Sequence, residues 1–216
     1  VNLAKAVSTL DMLCGGRVTL SIGVGHARGE FEALGVSFEE RGMIADEYLE
    51  AMRVLWTEDE PVFQGQYVSF KDIAFEPKPV QKPYPPLWVG GNSRPAMRRA
   101  VKYGVGWNPW LITVEELPGC MDYMRSLPEW SRREAPLELW LPVQNLEVDE
   151  LHRPDKPGST GAPEKRLRRN ELIDAVGRLR DAGVTWTGLP VDGARSCEEW
   201  LDKLEELSEE VIPLFG

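Results

Sequence analysis

The residue types best suited to chemistry fall in two glycine-bearing stretches. In Val89-Gly90-Gly91-Asn92-Ser93-Arg94-Pro95 a short apolar run ends in two glycines, then a polar pair, then a helix start. Glycines let a ligand approach the backbone closely. The first N–H groups of a helix lack partners within it and lie at the positive end of its dipole. Such a junction suits a phosphate, and Arg94, Arg98 and Arg99 add positive charge nearby. The plainer reading is a turn in which Ser93 only caps the helix. The second stretch, Gly23-Val24-Gly25-His26-Ala27-Arg28-Gly29, approximates a dinucleotide fingerprint, with Glu39 or Glu40 near the place of the ribose-binding acid. Its third glycine falls one position late, so a loop at the tip of a barrel strand is the better reading. His26 is a candidate general acid–base, although one histidine in a polar loop is more often only solvated. Trp107 and Trp110 sit at the end of a strand candidate, where barrels place their active sites; Trp110 reads as core, as do Trp56 and Trp200.

The elements that must hold these residues follow from periodicity. Leu3, Val7, Leu10 and Leu13 recur at helical spacing, and Gly15-Gly16 stops that helix. Residues 18–24 read as a strand buried on both faces, and 25–36 as a loop. Residues 39–56 read as a helix with Ile44, Tyr48, Ala51 and Leu55 on one stripe, widened by Leu49, Met52 and Trp56. A hairpin turns at Gln64-Gly65-Gln66, and the prolines of 77–86 exclude helix. Further strands are expected at 87–90, 105–110, 137–145 and 184–189. Helices are expected at 96–103, 113–127 with Thr113 as N-cap, and 171–182. A last helix is capped by Ser196, with Trp200, Leu201, Leu204, Leu207 and Val211 inside. Residues 151–170, with His152, read as a mobile polar loop. Strands alternating with helices imply an α/β fold with a parallel sheet. Five strands fall short of a (β/α)8 barrel; three further strand–helix units at ~30 residues each would complete one.

Composition narrows the partners. The 216 residues carry a net charge of −10, which repels nucleic acid and anionic membrane surfaces. No apolar run approaches the ~18 residues a membrane helix needs. Cys14, Cys120 and Cys197 are scattered and form no C-x-x-C pair, so neither a metal site nor a disulfide framework is indicated, and a reducing, cytoplasmic setting is expected.

Taken in order, Leu3-Ala4-Lys5, Thr9-Leu10-Asp11, Gly15-Gly16-Arg17, Gly23-Val24-Gly25 and Glu30 to Gly35 form a recognisable series. Arg41-Gly42, Asp46 to Glu50, Leu55-Trp56-Thr57, Phe75 to Gln81, Val89 to Ser93 and Gly104 with Gly106-Trp107 continue it. The series resembles the bacterial luciferase-like oxidoreductases, in wording most like their coenzyme F420-dependent branch, and covers Leu3 to about Pro109 well. Cys14 stands where the family usually has Ser. The resemblance implies a (β/α)8 TIM barrel, here a single partial domain lacking its first three strand–helix units, often dimeric. It also implies F420, or alternatively FMN, at the C-terminal mouth. Gly90, Gly91, Asn92 and Ser93 would take the cofactor phosphate, Gly23, Val24 and Gly25 would lie beside the cofactor, and Trp107 and Asn108 would line the mouth. The implied activity is hydride transfer with a small organic substrate, or oxygen insertion if the cofactor is FMN, and the resemblance identifies no catalytic residue. Two other readings stay open: a non-catalytic partial barrel that acts by oligomerising, and an NAD(P)-binding Rossmann dehydrogenase.

Overall fold

A computed structural model describes residues 1–147, 168–191 and 194–215. They fall into two compact units, Val1–Trp107 with Leu127–Leu137, and Asn108–Ser126 with Glu138–Gly216. No described helix is long and apolar enough to cross a membrane.

The first unit carries α1 (Asn2–Leu13), β1 (Leu20–Ile22), α2 (Arg28–Leu34), α3 (Arg41–Thr57), the hairpin β2 (Phe63–Gln64) and β3 (Ser69–Phe70), β4 (Leu87–Gly90), α4 (Arg94–Tyr103) and all but the last residue of β5 (Gly106–Asn108). β1 pairs parallel with β4, with Leu20 opposite Leu87, Ser21 opposite Trp88 and Ile22 opposite Val89; β5 lies on the other side of β4. Strand side chains alternate between faces. Leu20, Ile22 and Leu87 point into one core with Ala4, Val7, Leu49, Met52, Leu55 and Trp56, each fully buried large side chain contributing about 1.5–3 kcal/mol. α3 buries the expected stripe except Tyr48, which is exposed. Residues 28–34, expected as loop, form a short helix. It buries none of its residues and contains Gly29, so it cannot pack on β1 as a dinucleotide fingerprint requires.

α1 departs from its periodicity. It buries Ala4, Val7, Ser8 and Asp11 and leaves Leu3, Leu10 and Leu13 exposed. Specific polar partners decide the face. The Trp56 indole donates to the Ala4 carbonyl (3.0 Å), and the fully buried Asp11 carboxylate accepts from the backbone N–H of Gln81 (3.0 Å) and its side-chain amide (2.8 Å). Burial opposes the Asp11 charge, but the Gln81 donors outweigh it and hold the group below the usual aspartate value. The hairpin has a similar anchor. The Glu47 carboxylate on α3 accepts from the N–H groups of Gln66, Tyr67 and Val68 at 2.8, 2.6 and 2.7 Å. A Cβ at Gly65 would crowd that carboxylate, so a larger residue there would have to displace the Glu47 side chain from the hairpin N–H groups.

The second unit holds α5 (Leu117–Arg125), β6 (Glu138–Leu139), α6 (Arg169–Asp181) and α7 (Cys197–Glu210). Thr113 opens a single 3-10 turn ahead of α5, in a reciprocal capping arrangement with Glu116, and Ser196 caps α7 through the Glu199 N–H. The expected strand at 137–145 shrinks to β6, because Pro142 offers no N–H to a ladder and 143–147 form a 3-10 helix. The expected strand at 184–189 is a single parallel bridge from Trp186 to Trp140. Two further expectations are corrected: Trp110 is 60% and Trp200 44% exposed, and α7 buries none of its residues. Amphipathic periodicity specifies a face that tolerates burial and not what covers it. Most of the 151–170 segment, with His152, lies outside the described residues.

Replacing Asp11 by Ala is expected to cost about 1–3 kcal/mol at pH 7, read from the urea midpoint. A depressed carboxylate contributes stability above its unfolded value, near 4, and loses that contribution as pH falls through the folded value. The variant is therefore expected to show a shallower acid limb below pH ~5; an unchanged limb would assign Asp11 no role there.

Candidate functional site

β1 and β4 end side by side, Ile22 opposite Val89, and this pairing brings Gly23, Val24 and Gly90 together on the wall of one cavity of about 150 Å³. Chain alternation puts Gly23 and Gly90 on the sheet face opposite the helix-facing Ile22 and Val89. Gly25 follows with φ +80°, and a Cβ there would press on the Phe31 ring at 3.0 Å.

Beyond β4 the chain turns sharply. Gly91 has φ +105°, and a Cβ on it would meet the Ala96 Cβ at 3.3 Å, so the position calls for glycine on both counts. Ser93 is the N-cap of α4, extended, exposed, and accepts from the Ala96 N–H at 3.3 Å. Pro95 offers no N–H. Two of the first helical positions are thus unavailable to an anion, and the cradle narrows to the backbone of Gly91, Asn92, Ser93 and Arg94 at the positive end of the α4 dipole. Asn92 is exposed beside it.

Trp107 is fully enclosed, and its indole N–H donates to the Gly91 carbonyl at 2.9 Å. It acts on the turn from behind, while Asn108 is half-buried at the end of β5. His26 is exposed in the loop after β1. Among the described residues there is no His, Cys, Asp and Glu cluster suited to a metal. The three arginines divide. Arg94 and Arg98 are exposed, whereas Arg99 is buried and turned away to α3, with Nε 2.5 Å from Asp46 and Nη2 2.8 Å from the Gly42 carbonyl. Its charge is committed to Asp46, which corrects the expectation that it serves the turn.

Sequence reading missed the supports of α4. Arg133 donates through Nη1 to the carbonyls of Val101 (2.9 Å) and Gly104 (2.8 Å), closing the helix at its C-terminal end. Glu50 on α3 accepts from Lys102 and the Tyr103 hydroxyl, both at 2.7 Å. Burial and the Glu50 charge outweigh Lys102 and push the Tyr103 phenol up to about 12. Asp46 and Glu50 at helical spacing on α3, facing Arg99 and Lys102 on the next helix, were the available signal; Arg133 had none locally.

Parallel strands joined through helices, with an anion-suited turn at the strand tips, define an α/β protein. The family model for luciferase-like monooxygenases matches residues 1–144, and the chain belongs to that family. It is 36% identical over 130 residues to an FMNH(2)-dependent dimethylsulfone monooxygenase of Pseudomonas putida, covering 57% of this chain and 35% of the relative. The chain therefore spans about a third of that relative's length. Among solved structures, monooxygenase RslO1 from Streptomyces bottropensis superposes with a TM-score of 0.73 at 19% identity, over all of this chain and 74% of that one. An F420-dependent secondary alcohol dehydrogenase in complex with an F420-acetone adduct gives 0.70 at 20%, over 98% and 73%. These likenesses show the fold, an incomplete luciferase-like barrel.

Trp107→Phe removes the donor to Gly91 and is expected to cost about 1–2 kcal/mol. Gly91→Ala adds backbone strain of about 1–3 kcal/mol. Thermal unfolding measures both; unchanged midpoints would contradict the described turn.

Proposed function

We propose that the protein is an oxidoreductase that grips the anionic tail of a ring-bearing redox cofactor at the turn from β4 into α4. Coenzyme F420 is the first reading. FMN is the second, favoured by the 36%-identical relative named for FMNH(2). The reading rests on one observation above others: a positive-φ glycine, braced from behind by Trp107, sets an exposed helix start at a strand tip. The residues present fit such a tail, since a Cβ at Gly91 would crowd the turn and the dipole of α4 favours negative charge.

When bound, the cofactor supplies hydride transfer to or from a small organic substrate, or oxygen insertion in its reduced flavin form; the ring carries the reactivity and the protein binds and orients it. In this reading Gly90, Gly91, Asn92 and Ser93 hold the tail and Gly23, Val24 and Gly25 lie alongside it. Trp107, expected at the mouth, is instead enclosed behind the turn and holds the Gly91 carbonyl, while Asn108 would line the mouth. Two cofactor-bearing chains would form the homodimer.

Ser93→Asp places a negative charge where the tail would lie. It is expected to lower F420 or FMN affinity at least a hundredfold in equilibrium dialysis, with the circular dichroism spectrum unchanged. Unaltered affinity would remove the tail from this turn. Retention of F420 but not FMN by the parent protein would select between the two cofactors.

A further inference from the structure

On β1 and β4 one large side chain points away from the helices. Strand alternation sends Leu87 and Val89 into the buried helix side and turns Trp88 and Gly90 the other way. Ser21 stands directly opposite Trp88 on β1, and β5 brings Gly106 against it from the other side. A Cβ added to Gly106 would lie 2.6 Å from Trp88 Cδ2, 2.6 Å from Cε3 and 2.7 Å from Cε2. These are three adjoining atoms of the six-membered ring. Nearly equal distances to them place that Cβ over the face of the ring and not at its edge. The indole therefore lies flat across Gly106, and a residue with a side chain there would push it off the sheet. The ring is half-buried, and its second face is turned away from the strands.

Trp88 also stands at a useful depth. Gly90 follows it on the same face, about 7 Å nearer the strand tip, and Gly91 begins the turn. Gly23 is the neighbour of Gly90 on β1, by the pairing of Ile22 with Val89. Neither glycine puts a side chain on this face, so bare backbone separates the indole from the turn. A ribityl chain, which joins ring to phosphate in FMN and in F420, reaches across that distance. Planar aromatic rings favour offset stacking, and an indole held flat on the sheet presents its face for it.

We propose that Trp88 is the platform on which the cofactor ring stacks, its indole fixing how far the ring sits below the strand tips. This rests on the cofactor reading above and adds a second contact to it: the turn holds the tail and the indole holds the ring. Gly106 acts through the indole, as a positioning residue.

The probes are riboflavin and FMN, titrated against the 216-residue chain labelled with 5-fluorotryptophan and followed by fluorine NMR. Trp88→Phe identifies the Trp88 signal among those of the eight tryptophans by its loss. Both ligands are expected to shift that signal, since the indole meets the ring they share. Trp88→Leu is expected to weaken riboflavin and FMN alike, by about tenfold or more, whereas Trp88→Phe keeps a stacking face and stays within about threefold of the parent. A side chain that only filled space would lower the thermal midpoint in both variants and leave the affinity of the folded protein unchanged. If Trp88→Leu does not fold, the parent titration decides alone. Ser93→Asp is expected to abolish the advantage of FMN over riboflavin while riboflavin still shifts Trp88, so the tail and ring readings fail in different variants. FMN binding with the Trp88 signal unmoved, equal riboflavin affinity in the parent and Trp88→Leu, or no saturable riboflavin binding would each overturn the proposal.

Discussion

The carbonyl of Gly91 accepts a hydrogen bond from the indole of Trp107, a side chain with no exposed surface. The candidate site depends on that contact. Gly91 sits at φ +105°, a conformation that glycine tolerates and does not by itself enforce. The indole supplies the enforcement, and it can do so because β5 runs beside β4 and delivers Trp107 behind the turn. The exposed face of the turn is left to solvent or a ligand.

Helix α4 is held by the same logic at both ends and along its side. Ser93 caps its start, Arg133 satisfies its final carbonyls, and α3 supplies Asp46 and Glu50 to Arg99 and Lys102. Arg99 is buried, and its pairing with Asp46 matters for that reason: a buried guanidinium without a partner costs far more than the pair contributes. A helix so fixed keeps its positive end aimed at one place, which an anion site requires and which a frayed helix would not provide.

Much of this was legible in the residues themselves. The glycine turn, the Ser93 cap, the helix at 41–57 and the β1–β4 crossover follow from local chemistry and period. Trp107 was visible as a residue at a strand end, but its inward, supporting role was not, because a hydrogen bond to a carbonyl sixteen residues earlier has no sequence signature. Arg99 was misassigned for a related reason: charge is local in sequence, while its partner Asp46 lies on another helix. The stripe on α1 misled because apolar period ranks faces by hydropathy, whereas Asp11 and Gln81 select the face by specific hydrogen bonds. Trp110, Trp200 and the short strands near Pro142 show the complementary weakness, since apolar runs do not reveal what will pack against them.

Amide chemical shifts in a titration of the labelled chain with FMN and, separately, with riboflavin test the central claim most directly, because the two ligands share a ring and differ in the phosphate. FMN is expected to move the amides of Gly91 to Arg94 and the Trp107 indole N–H, and riboflavin to leave them in place. Equal shifts with both ligands, or FMN shifts elsewhere with these amides unmoved, would contradict it.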